Sequence, residues 1–208
     1  MTDLDQRLTD TGLSPDGDGR VLLLACGALA HEILALRAAN HWDHLDLQCL
    51  PAIYHNHPER IVPALRAAVA ARAQDYNRIF VVYADCGTGG QLQATCDDLG
   101  IAMIPGPHCY SFFSGNDAFA QADDMTAFYL TDFLTRQFDA FVWRPLGLDR
   151  HPQLRDTYFG NYTSLIYLAQ TDDPILTAKA HSIAVRMGLA FARRFTGYGD
   201  LTRTLETA

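Results

Sequence analysis

The sequence predicts an α/β fold: a doubly wound, flavodoxin-like and mostly parallel sheet of five to six strands with helices on both faces. Three observations predict it. Short apolar runs alternate with helix-length amphipathic segments along most of the chain. The runs are continuously apolar, as in strands covered on both faces. They end in loops rich in glycine and cysteine, where an α/β sheet keeps its chemistry.

The elements follow in order. Residues 1–19 mix Asp, Gly, Thr and one Pro without apolar periodicity, and are expected to be a mobile lead-in. A single α/β domain is expected over 20–208. VLLLA (21–25) reads as the first strand, ending at Cys26-Gly27 before a helix from about Ala28 to Asn40. LDLQCLP (45–51) reads as the second. After it, Pro58 suits a first helical turn, and Ile61, Leu65, Ala68 and Val69 form an apolar stripe at helical spacing. Pro63 falls early enough in that helix to be tolerated.

RIFVVYA (78–84) is the clearest strand, running into Asp85-Cys86-Gly87-Thr88-Gly89-Gly90 and a helix near Gln91 to Leu99. IAMIP (101–105) is a short fourth strand before the loop GPHCYSFFSG. From Ala120 to about Trp143 the pattern is helical, with a further turn or two over 149–162. SLIYLAQ (164–170) reads as a strand, Pro174 to Met187 as a helix and LAFARRF (189–195) as a last strand.

Bulk properties narrow the function. The 208 residues carry 49% apolar and 19% charged side chains, enough for a sizeable core. A formal charge of −8 without any Lys/Arg cluster argues against nucleic acid or an anionic membrane surface as partner. A small-molecule substrate is the better expectation. No stretch approaches the roughly 20 apolar residues that span a bilayer, and the start lacks the basic and apolar regions of a secretory signal. A cytoplasmic protein is expected, whose five cysteines are core thiols, ligands or nucleophiles rather than disulfides.

Cys26, Cys86 and Cys109 each follow a predicted strand. In the flavodoxin-like order strands 1 and 3 are neighbours and strand 4 lies beside strand 3, so three distant loops converge at one crevice. Cys26 and Cys86 also precede predicted helices, whose N–H groups favour thiolate. Cys49 and Cys96 fall inside a strand and on a helix face, and are assigned to packing. Three thiolates fit a zinc ion with one open position, or a cubane iron–sulfur cluster with one exposed iron. Spacing leaves the two open. The alternative is three unreactive cysteines in a tightly packed rim.

Asp85 and His108 flank these cysteines and are the candidates for proton transfer or ligand orientation, His108 being also a candidate fourth ligand. Gly27, Gly87, Thr88, Gly89 and Tyr110 are expected to let a cofactor or substrate approach the backbone. The Gly-rich loop is neither GxGxxG nor a Walker loop, so phosphate binding is a weaker reading, and a tight turn needing positive φ a plainer one. His31 and Glu32 read as surface or cap residues. His55 and His57 could bind metal only in an extended segment, and suit a turn before Pro58. Asp149, Arg150, His151 and Arg155, with Tyr158 and Tyr162, suit anion recognition or a helix cap, the cap being preferred. Tyr110, Phe112 and Phe113 suit either a pocket roof or a subunit contact in a homodimer.

LACGALAHEI, YADCGTGG, PGPHCYSFFSG, LGLDRHPQLRDTYFGNY and IYLAQTDD together resemble, in order, the signature blocks of the bacterial and archaeal domain of unknown function 1638 family. The resemblance runs over nearly the whole chain from Val21, and its blocks contain Cys26, Cys86 and Cys109 but not Cys49 or Cys96. Members are often encoded beside corrinoid-dependent methyltransferases of the trimethylamine type. The resemblance therefore implies one-carbon metabolism, with a corrinoid protein or methyltransferase as partner. The leading expectation is a metal-dependent transferase of methyl groups. The alternatives are a [4Fe-4S] lyase or desulfurase, and a non-catalytic accessory that carries a metal or corrinoid.

Overall fold

The computed structural model describes residues 3–122 and 124–208, so Met1 and Thr2 of the expected lead-in, and Asp123, lie outside the described residues. The chain divides into two compact units where one domain was expected: residues up to 109 with 201–208, and residues 110–200.

The first unit begins with a helix, α1 (Asp3–Asp10), where irregular lead-in was expected. The reason lies in one face of that segment: Asp5, Leu8 and Thr9 are buried, and the Asp5 carboxylate meets His31 Nε2 at 2.9 Å. Four parallel strands follow: β1 (Val21–Cys26), β2 (Leu45–Leu50), β3 (Arg78–Val82) and β4 (Ala102–Met103), in the order β2-β1-β3-β4. This is the flavodoxin-like order the sequence predicted. Between them run α2 (Ala30–Asn40), α3 (Ile61–Arg72) and α4 (Gln91–Leu99). β1 is central, its Ala25 in register with Cys49 on one side and Val82 on the other. Leu22, Leu23, Leu24 and Ala25 are wholly buried, as a continuously apolar strand requires. In α3 the buried residues are Ile61, Leu65, Ala68 and Val69, the stripe read from spacing. Pro58 opens a 3-10 turn and Pro63 sits in the first turn of α3, where its missing N–H costs no hydrogen bond.

The second unit holds a three-stranded parallel sheet, β5 (Ala127–Leu130), β6 (Ser164–Ala169) and β7 (Ala190–Phe195), in the order β5-β6-β7. Its helices are α5 (Ser111–Ser114), α6 (Asn116–Gln121), α7 (Asp132–Phe138), α8 (Arg155–Phe159) and α9 (Pro174–Met187); α10 (Gly199–Leu205) returns the chain to the first unit. The helix expected from Ala120 to Trp143 is corrected here. Phe128 and Tyr129 favour the pleated conformation, and Thr131 accepts a hydrogen bond from Leu134 N to start a new helix, so strand β5 precedes α7. The expected strands are thus divided between two sheets of four and three. Among the described residues no helix is long and apolar enough to cross a membrane.

A three-cysteine rim as the candidate functional site

The first sheet delivers three sulfurs to one place. Cys26 ends β1, Cys86 lies four residues beyond β3, and Cys109 follows β4 by way of residues 104–108. Cys86 Sγ and Cys109 Sγ stand 3.4 Å apart, and Cys26 lies near enough to Cys109 for each to shift the other's pKa. Cys26 is buried; Cys86 and Cys109 are partly exposed, and none of the three is in a disulfide. Cys26 and Cys109 are thiols rather than thiolates. The hydrogen bond to Cys109 and burial push the Cys26 pKa well up. For Cys109 the bond from Cys26 lowers the pKa, but the bond to Cys86 and burial outweigh it and raise it. The Ala28 N–H, at the start of the turn that leads into α2, lowers the Cys26 pKa as expected of a helix start, but the Cys109 bond and burial outweigh it.

Tyr83, read from sequence only as part of the strand 78–84, completes the cluster. It is fully buried, and its hydroxyl lies close enough to Cys26, Cys86 and Cys109 for their charges to act on it, after burial, which pushes its pKa well up. The hydroxyl approaches the Cys26 sulfur without a hydrogen bond of full geometry, so a buried donor faces the sulfurs unspent. Such a group costs about 1–3 kcal/mol until something binds it. The only sequence signal was its place at the strand's end, two residues before Asp85.

The Asp85–Gly90 loop fixes Cys86. Asp85 accepts from Thr88 Oγ1 at 2.7 Å, Gly89 N at 3.1 Å and Gly90 N at 2.6 Å. The Thr88 bond, with the loop N–H groups, holds its carboxyl below the usual range despite some burial. A carboxylate spent in this way positions the loop. The N–H groups that would cradle a phosphate are filled by the chain's own carboxylate. Cys86 itself has φ 46°, in the left-handed region that costs a side chain about 1 kcal/mol or more. Gly87 and Gly89 have φ 83° and 62°, with only Pro58 near the first and open space beside the second. A groove of about 390 Å³ beside them is lined by Pro58, Glu59, Val62, Gly87 and Thr88, among others. Gly27 differs: a Cβ there would meet Leu8 O at 2.4 Å, so chain packing fills the space expected for a cofactor.

His108 is exposed next to Cys109; burial of its ring lowers its pKa, Asp85 raises it and His55 lowers it, which places those three groups within reach of one another. His55 was expected only as a turn residue; it sits in a 3-10 turn, Ala52–Asn56, that brings it to this side of the rim, with its pKa lowered by burial. His57 faces Glu59 at 3.7 Å. Cys49 and Cys96 are buried as assigned, although Cys49 lies near enough to Cys26 to feel its charge, and Cys96 rests on Met103 Sδ at 3.9 Å.

The remaining candidates belong to the second unit. Tyr110 belongs to the second unit, stacked on Tyr129 with ring centroids 5.2 Å apart. Phe112 and Phe113 are buried rather than displayed for a partner. Arg155 donates from Nε to Met187 O at 2.6 Å, the helix-cap role preferred for that segment, and Tyr162 packs on Phe128 and Phe159. Asp149 and Arg150 form an exposed pair, and Tyr158 is exposed.

Among the described residues no group of three or more His, Cys, Asp and Glu side chains stands in a metal-ligating arrangement. The rim sulfurs lie against one another instead. Their chemistry nonetheless fits a soft divalent ion: tetrahedral zinc with Zn–S near 2.3 Å places neighbouring sulfurs about 3.8 Å apart, little more than the 3.4 Å seen between Cys86 and Cys109. No curated protein and no solved structure matches the chain. A family model described as "Protein of unknown function (DUF1638)" matches residues 49–205, most of the chain and two of the three rim cysteines, and the protein belongs to that family.

Proposed function

We propose that Cys26, Cys86 and Cys109 hold one zinc ion, and that the protein is a group-transfer enzyme working on a small molecule in a reducing compartment, the cytoplasm. The observation that carries this reading is the meeting of three sulfurs beneath the unspent hydroxyl of Tyr83. The close approach of Cys86 and Cys109 favours a single ion, because a cubane places each cysteine on a different iron and spreads the sulfurs apart. Bound there, zinc would lower the pKa of a substrate thiol or water in its open position and so make it a nucleophile.

The chain's own residues supply the rest. Cys26, fixed in the central strand, and Cys86 and Cys109 on their loops give up their protons on binding, so uptake weakens as pH falls. Tyr83 donates to a group brought against the sulfurs. Asp85 keeps Cys86 in its left-handed conformation through the loop N–H groups. His108, exposed beside Cys109, gives or takes a proton at the mouth, while the groove over Gly87 and Thr88 admits the substrate. Methyl transfer, with a small thiol or a corrinoid protein as partner, is the transfer that the family resemblance implies.

The test is metal analysis of protein purified without oxygen, with zinc, iron, cobalt and acid-labile sulfide measured per chain. One zinc per chain, lost on Cys→Ala change at each rim position but kept in Cys49→Ala and Cys96→Ala, is the expected result. Iron with matching sulfide would replace it with the [4Fe-4S] lyase or desulfurase. A zinc protein that binds a corrinoid protein tightly without turnover would make it an accessory. Protein that takes up neither metal would end the reading.

A further inference from the structure

Two of the rim sulfurs are also placed for a second chemistry. A disulfide bond is about 2.05 Å long, so Cys86 Sγ and Cys109 Sγ, 3.4 Å apart, need approach by only ~1.4 Å. Rotation of the two side chains about their Cα–Cβ bonds is the movement that brings sulfurs together. Cys86 is the sulfur an oxidant reaches: it is partly exposed, and open space lies beside Gly89 and Gly90 of the loop that follows it. His41, the other non-glycine residue with positive φ among the described residues, merely ends a helix. Cys26 is less suited. It is buried and locked in β1 opposite Leu50. Cys96 has a thioether for a neighbour, which forms no disulfide.

We propose that Cys86 and Cys109 are a reversible redox site, joined as a disulfide by a peroxide or a small-molecule disulfide, and that this withdraws two of the three sulfurs from the rim. Only the consequence for metal rests on the zinc reading; the bond itself does not. With a peroxide the Cys86 sulfur attacks one oxygen, the O–O bond breaks, and water leaves with sulfur as the sulfenic acid. The Cys109 sulfur then attacks Cys86; the S–O bond breaks, the S–S bond forms and a second water leaves. Two thiol protons and two electrons have passed to the peroxide. A small disulfide reaches the same product by two exchanges that release two small thiols.

Reduced, metal-free protein treated with hydrogen peroxide, and separately with oxidised glutathione, is digested without reductant for mass spectrometry. Zinc uptake is measured before oxidation, after it and after re-reduction. The expected product is a Cys86–Cys109 cross-link, with Cys26, Cys49 and Cys96 recovered as thiols. Zinc affinity is expected to fall by about 100-fold and to return with reductant. In Cys109→Ser the Cys86 sulfenic acid should persist and be trapped by dimedone. A main product linking Cys26 to Cys109, or Cys86 oxidised without a cross-link in the unsubstituted chain, overturns the proposal. So does zinc uptake that the cross-link leaves unchanged. A cross-link in protein that takes up no zinc even when reduced keeps the redox site and removes the zinc reading instead.

Discussion

Both parallel sheets bring polar side chains to the carboxyl ends of their strands, and the two rims use them in opposite ways. After β1 and β3, three sulfurs and the Tyr83 hydroxyl crowd together with bonding capacity left over. After β5 and β6, the buried Asp132 carboxylate accepts from Tyr167 OH at 2.7 Å, Gln170 N at 3.1 Å, Thr171 N at 3.0 Å and Thr171 Oγ1 at 2.5 Å. That carboxylate is spent, tying one strand end to the next. Each rim pairs a buried tyrosine with acidic groups, and burial raises the pKa of Tyr83 and Tyr167 alike. The difference teaches that a buried polar group at a parallel rim points to a ligand only where its partners are missing.

The largest effect that would break this contrast is on metal. Cys26→Ala, Cys86→Ala or Cys109→Ala should each lower zinc affinity by about 100-fold or more, read by competition with a chromogenic chelator, and Asp132→Asn should leave it unchanged. Equal loss in both would erase the distinction between the rims. Next comes stability. Asp132→Ala leaves two hydroxyls and two backbone N–H groups without their acceptor, Tyr167 OH and Gln170 N in a buried place, and should cost about 3 kcal/mol or more in urea unfolding.

A tyrosine pair sharpens the comparison at smaller cost. Tyr167→Phe removes a donor from a charged acceptor and should destabilise by about 1–2 kcal/mol, whereas Tyr83→Phe removes an unpartnered hydroxyl and should be neutral or stabilising by up to about 1 kcal/mol. In the same variant zinc-dependent turnover should fall; a Tyr83→Phe protein as destabilised as Tyr167→Phe would show that its hydroxyl was already satisfied. Asp85→Ala should release the Cys86 loop, at about 1–2 kcal/mol, and weaken zinc about tenfold.

The smallest effect lies away from either rim. Asp124 pairs with Arg194 through two contacts, at 2.6 and 3.2 Å, and accepts from Tyr129; the Arg194 bond holds its carboxyl below the usual range. A carboxyl whose folded pKa lies below its unfolded one stabilises fully above the unfolded value, about pH 4, and loses that contribution as pH falls through the folded value. Acid unfolding of Arg194→Ala should therefore show a shallower loss of stability below about pH 4 than the unsubstituted chain.

Particular residues show what was legible in the sequence and why. The continuous apolar run at 21–25, the stripe Ile61, Leu65, Ala68 and Val69, and the Gly-rich loop before the helix at Gln91–Leu99 are local patterns, and the elements formed where those patterns lay. The strand at 127–130 was hidden because four residues are too few to break a helical period; only the cap at Thr131 marked it. Helix α1 was hidden because its three buried residues gain their stability from the surface they meet, with no apolar run to announce it.

The sequence by itself determined the α/β class, the order of strands in the first sheet and the three cysteines at its rim, because burial on both faces leaves a continuous apolar signature and parallel connections send every strand end to one side. Only the tertiary structure decided that the strands fall into two sheets, that Asp85 is spent on its own loop, and that Tyr83 and His55 join the rim. Those outcomes depend on which distant groups meet and how many hydrogen bonds each has left. Residues 57 positions apart at Cys26 and Tyr83 carry no trace of that meeting in their local pattern.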